Sequence, residues 1–118
     1  MKKHNFKEMM IWKKAMDLVV SIYQITENLP AKENFNLVSQ INRCAVSIPS
    51  NIAEGSGRTT NKSFSNFLNF SLSSAFELET QLILLDRIYK VPTKTEQSEL
   101  VELQKMIRSF NNQLIKNL

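Results

Sequence analysis

The sequence predicts an all-α protein, an antiparallel up-down-up-down four-helix bundle with long second and third helices. Three observations carry that prediction. Apolar residues recur at three- and four-residue spacing through four successive segments, and no stretch alternates as a half-buried strand does. Glycine and proline are scarce, two and three in 118 residues, which favours long helices with short connections. Most of them fall between the segments, and four helices joined by short loops close most simply as an antiparallel bundle. A chain of this length makes one domain. It buries somewhat over ~60% of its unfolded surface, enough for a stable core.

The first helix is expected over residues 7–28. Trp12, Ala15, Met16, Val19, Ile22, Tyr23 and Thr26 form one face, with Lys13, Lys14, Asp17, Gln24 and Glu27 off it. Leu29-Pro30 ends it, because a residue before proline disfavours helical geometry. The second helix is expected over residues 33–55, with Leu37, Ile41, Cys44, Ala45, Ile48 and Ile52 inward. Pro49 interrupts that stripe. It removes one backbone donor and crowds the Ala45 carbonyl, a conflict of roughly 3 kcal/mol in a regular helix that a kink would relieve. Asn51 lies on the same stripe, seven residues after Cys44. A buried amide must find partners or cost ~1–3 kcal/mol. Gly57 suits a left-handed terminus or turn.

The third helix is expected over residues 61–90, capped by Thr60 or Asn61. Phe64, Phe67, Leu68, Ser71, Ala75, Leu78, Leu82, Leu85 and Tyr89 give a nearly heptad-spaced stripe. Ser71, Ser74 and Ala75 are small and would admit the second helix closely near Asn51. A second apolar line, Phe70, Leu72, Phe76, Ile83 and Leu84, is wider than one bundle core needs and predicts a subunit interface. Val91-Pro92 stops this helix. Thr93 to Glu96 fits a capping box, with Thr95 as an alternative cap. The fourth helix runs to about residue 117, with Leu100, Leu103, Ile107, Phe110 and Leu114 inward.

Net charge is +4, and residues 1–14 carry all of it, with five lysines and one glutamate. The remaining ten basic and ten acidic residues cancel. Candidates for phosphate contact are Lys2, Lys3, Lys7, Lys13, Lys14, Arg43, Arg58 and Lys62. Residues 1–6 are expected to form a basic tail, with His4 solvated in it. Arg58 and Lys62 flank the start of the third helix, whose free amides also favour phosphate.

Catalytic and metal chemistry find little support. A metal site in a four-helix bundle needs inward carboxylates and Glu-x-x-His pairs. The one histidine is His4, and no such pair exists. No nucleophile–base pairing is legible, and Gly55-Ser56-Gly57-Arg58 is too short for a phosphate loop. No cofactor or metal is expected. The lone Cys44 reads as a small core residue in a reducing cytoplasm. No targeting segment is evident, and the longest uncharged run, residues 63–76, is too short and too polar to span a bilayer. Ser47, Asn51, Glu54, Ser74 and Glu77 read as a polar network between the second and third helices, with Arg43 or Arg58 as further members. The alternative has Asn51, Glu54 and Arg58 lining a surface for a ligand or partner.

The block Ser47-Ile-Pro-Ser-Asn-Ile-Ala-Glu-Gly-Ser-Gly-Arg58 resembles the signature of the 23S ribosomal RNA intervening-sequence proteins. Trp12 to Ala15, Ile22-Tyr23, Leu37, Gln40-Ile41, Arg43, Ser74 and Glu77 to Leu82 extend the resemblance over nearly the whole chain. The chain is similar also to the accessory variability determinants of diversity-generating retroelements, basic pentamers that associate with nucleic acid and a reverse transcriptase. The resemblance implies a left-handed bundle assembled as a ring-like homopentamer. It implies a non-catalytic, nucleic-acid-binding protein, or else a scaffold that docks a protein partner.

Overall fold

The computed structural model describes residues 4–116. Four α-helices form: α1 (Met10–Thr26), α2 (Leu37–Ser56), α3 (Asn61–Tyr89) and α4 (Lys94–Lys116). No strand occurs among the described residues. Each helix packs on its neighbours in sequence, and α4 closes back on α1, giving a bundle of 47 × 23 × 20 Å.

The helix ends follow local chemistry. A short 3-10 turn, Phe6–Glu8, precedes α1, and Asn5 Oδ1 accepts the Lys7 amide at 3.1 Å to open it. The turn takes Lys7 and Glu8 out of the helix predicted from residue 7. The chain between α1 and α2 forms another 3-10 turn, Ala31–Glu33, so α2 starts at Leu37 and not at residue 33. Thr60 Oγ1 accepts the Ser63 amide at 3.1 Å and caps α3. That helix ends at Tyr89, where Lys90 turns left-handed at φ 56° ahead of Val91-Pro92. Gly57 caps α2 at φ −90°, so the left-handed turn expected there does not form.

The core runs the length of the bundle. Ile22, Ile41, Ile48, Ile52, Phe64, Leu68, Leu78, Leu82, Leu85, Leu100, Leu103 and Ile107 are fully buried. On α1 the inward line is Ile11, Ala15, Leu18, Ile22 and Thr26. Trp12 and Val19 are half-buried at its edge, and Met16 and Tyr23 are exposed, a rotation from the face predicted. On α4, Phe110 is half-buried, and Gln104 and Asn111 are buried beside the predicted leucines.

Thr93 does not act as the cap of a Thr-x-x-Glu box. Its hydroxyl lies 2.9 Å from Asp86 Oδ2 and 3.1 Å from the Leu82 carbonyl, and accepts from Gln97 Nε2 at 2.9 Å. Asp86 also accepts the Thr93 amide at 3.3 Å and Gln97 Nε2 at 2.8 Å. A carboxylate one turn back on α3 therefore organises the turn that the Glu96 side chain was expected to close.

Candidate nucleic-acid interface

The signature residues form the seam between α2 and α3. Pro49 is buried inside α2, and the helix continues through it to Ser56. In the stretch just before the proline, side chains tie the two helices. Ser71 donates its hydroxyl to the Ile48 carbonyl at 2.9 Å, and the Ser47 and Ser74 hydroxyls hydrogen-bond to each other. The Cys44 thiol donates to the Ser74 carbonyl at 3.3 Å. Asn51 is half-buried and donates to the Ser47 carbonyl of its own helix at 2.8 Å.

The expected network is thus assembled in part. Ser47, Ser74 and Asn51 come together, with Cys44 and Ser71 as members that the pattern did not single out. Glu54 is exposed beyond them. Glu77 is exposed and accepts from Gln81 at 3.4 Å. Burial first, then the adjoining Glu77 carboxylate, pushes the Cys44 thiol up to about 12. It is a protonated core group, poorly suited to nucleophilic work.

The positive residues are distributed unevenly. The N-terminal segment folds back over the α2–α3 end of the bundle. His4 sets its ring edge-to-face on Phe64 at 5.2 Å and on Phe110 at 5.8 Å, while Phe6 meets Trp12 at 5.3 Å. His4 is therefore half-buried in an aromatic cluster, which corrects the solvated-tail reading; its two phenylalanine partners supply an apolar surface that a free tail would leave exposed. Lys7, on the same segment, shares this end with Arg58 and Lys62, all three exposed. Arg58 is held in place: its Nε donates to Ser63 Oγ at 3.1 Å, and its guanidinium lies 5.1 Å from the Phe67 ring centre.

The other cations stand apart. Lys13 is exposed on α1. Lys14 faces the α1–α4 groove with Asp17, Glu99 and Glu102, which offset its charge. Arg43 is exposed on α2, fifteen residues before Arg58 and about 22 Å away along the helix at ~1.5 Å per residue. Lys2 and Lys3 lie outside the described residues.

Of the residues assigned to a subunit interface, Phe70 is 56% exposed, Phe76 45% and Leu84 40%. Ile83 is half-buried. Leu72 is only 5% exposed and belongs to the core, because a step of ~100° from outward-facing Ser73 turns it into the bundle. A second apolar surface lies between α1 and α2, a groove of about 330 Å³ lined by Trp12, Met16, Val19, Val46, Pro49, Ser50 and Ala53. Among the described residues no three of His, Cys, Asp and Glu gather to hold a metal, and no helix is long and apolar enough to cross a membrane.

Comparison with known proteins bears on the whole of this architecture. No curated protein matches the chain. Among solved structures it is similar to a protein of unknown function from the S23 ribosomal protein family of Bacteroides thetaiotaomicron, with 27% identity and a TM-score of 0.76 over 86% of this chain and 97% of that one. The family model described as 23S rRNA-intervening sequence protein matches residues 7–112, from the N-terminal turn through most of α4. The four helices and the Ser47–Arg58 seam are thus those of a member of the 23S rRNA-intervening sequence protein family, to which this chain belongs.

Proposed function

We propose that the protein is a non-catalytic, cytoplasmic oligomer that binds RNA or DNA through phosphates at the α2–α3 end. The observation that carries this reading is the fold-back of the N-terminal segment. It brings Lys7 to the end of the bundle that bears Arg58 and Lys62. Among the described residues Glu8 and Glu54 are acidic groups of this end, and Lys116 at the close of α4 adds a further cation. A surplus of positive charge on one end draws polyanions. None of these groups belongs to a base-reading module, so binding is governed by phosphate and not by sequence.

Oligomerisation multiplies that charge. The exposed α3 line and the apolar α1–α2 groove are two different surfaces of one chain, which suits a head-to-tail ring. The family resemblance supports five copies. A second reading, a scaffold for a protein partner, is favoured by Phe35, which stands 99% exposed in the α1–α2 connection.

Filter binding against RNA and DNA at two salt concentrations tests the proposal. Affinity is expected to fall steeply with salt. Combining Lys7→Gln, Arg58→Gln and Lys62→Gln is expected to reduce the log–log slope by about 2–3, at ~0.7–0.9 per phosphate contact. No binding at low salt, or an unchanged slope in the triple variant, rejects this site and leaves the scaffold reading.

A further inference from the structure

We infer that the α2–α3 end seats an unpaired nucleobase, so that the protein prefers single-stranded nucleic acid to duplex. The inference rests on the nucleic-acid reading above and adds a pocket to it. His4, Asn5 and Phe6 face Ala53, Ser56 and Gly57 across an open pocket of about 400 Å³. That volume lies within the usual range for small-ligand sites, ~300–1,000 Å³.

The lining suits a flat heteroaromatic ring. His4 and Phe6 are half-buried rings fixed from behind by Phe64, Phe110 and Trp12. They offer π surface without needing to be ordered on binding. Asn5 uses its side-chain oxygen on the Lys7 amide, which leaves its Nδ2 protons as donors. Ser56, only 2% exposed, spends its proton on the Ala53 carbonyl at 2.7 Å and closes the pocket wall. The Asn5 donors beside two rings suit the acceptor edge of a base, and Gly57 adds no side chain to the lining.

A cation follows the pocket lining on each of its two segments. Lys7 follows Phe6 directly, with its ammonium 6.0 Å from the Phe6 ring centre. Arg58 follows Gly57 directly and is fixed on Phe67. A base in the pocket would have a cation one residue beyond the lining on each of the two segments, within the same end of the bundle as its neighbouring phosphates. This pairing of stacking surface with nearby cations is how strand-selective sites tolerate any sequence. Bases in a duplex are already stacked and cannot enter.

The test is fluorescence anisotropy with a short labelled oligonucleotide, alone and annealed to its complement, on the full chain. Single-strand affinity is expected to exceed duplex affinity by about fivefold or more. Phe6→Leu, which keeps the apolar packing and loses the aromatic face, is expected to erase that preference while leaving the salt slope unchanged. His4 is the one histidine, so its imidazole resonances give an independent readout, and a nucleoside monophosphate is expected to shift them. Equal affinity for strand and duplex with unmoved His4 resonances overturns the pocket and leaves the phosphate reading intact. Failure of both nucleic acids to bind at low salt overturns both.

Discussion

Gly55 is where α2 and α3 meet most tightly. A Cβ at that position would lie 2.7 Å from the Cβ of Phe67 and 2.8 Å from Phe64 Cδ1. The Phe67 Cβ moves only with its backbone, so relief requires α3 to shift. Gly55→Ala is therefore expected to destabilise the fold by about 1–3 kcal/mol through overpacking. The gain of roughly 1 kcal/mol that alanine brings to a helix interior offsets part of this, so the net loss is up to ~2 kcal/mol. Gly57 is the control. A Cβ there meets only the Glu54 carbonyl, at 3.7 Å, and φ is negative. Gly57→Ala is expected to be neutral or stabilising by up to ~1 kcal/mol. Urea denaturation of both variants measures the difference, and equal stabilities would show that the seam has room to spare. The same close approach explains why small residues line the opposite face: Ser71 is fully buried and Ser74 half-buried, each bonded to α2.

Single elements differ in how much of them the sequence discloses. The limits of α3 are legible because Thr60 is a cap and Val91-Pro92 is a stop, both local signals. The inward face of α1 is less so. Lys13, Lys14, Asp17, Ser21 and Gln24 mark its polar side, but Ile11, Trp12, Met16, Leu18, Val19, Val20, Ile22, Tyr23 and Ile25 make an apolar band wide enough to hold two adjoining stripes. In α4 the opposite holds. Gln97, Gln104 and Asn111 recur every seven residues and reach Asp86, Glu79 and Asn69 of α3. A hydrophobic count passes over such a ladder, although its heptad spacing beside Leu100, Leu103, Ile107 and Leu114 was a visible signal. The candidate site was legible as charge in Lys7, Arg58 and Lys62. The pocket was not, since it depends on His4 folding back, which no spacing encodes. The ladder's first rung yields a prediction at this scale. Asp86→Ala strips the acceptor from the Thr93 amide, the fully buried Thr93 hydroxyl and Gln97. An unmet buried donor costs ~1–3 kcal/mol, so urea denaturation is expected to register a loss of that size. A loss below ~0.5 kcal/mol would mean that water or Leu82 serves the turn equally well.

At the scale of the whole molecule, the bundle buries one continuous core and leaves two apolar surfaces outside. One is a ridge of exposed side chains on α3, with Phe70, Phe76 and Leu84. The other is the α1–α2 groove, with Val46 40% exposed at its rim. If these surfaces bind each other between copies, every joint joins unlike faces, and each copy takes part in two joints. A charge on either face then blocks assembly without touching the core. Phe76→Glu and Val46→Glu are each expected to be monomeric by native mass determination, with helical content unchanged by circular dichroism. The Phe76→Glu chain keeps an intact groove, and the Val46→Glu chain keeps an intact ridge. An equimolar mixture is therefore expected to form a one-to-one dimer that cannot extend, because the two faces left over are the charged ones. A mixture that stays monomeric would mean that the faces do not pair with each other. A wild-type chain that is itself monomeric would remove the ring altogether.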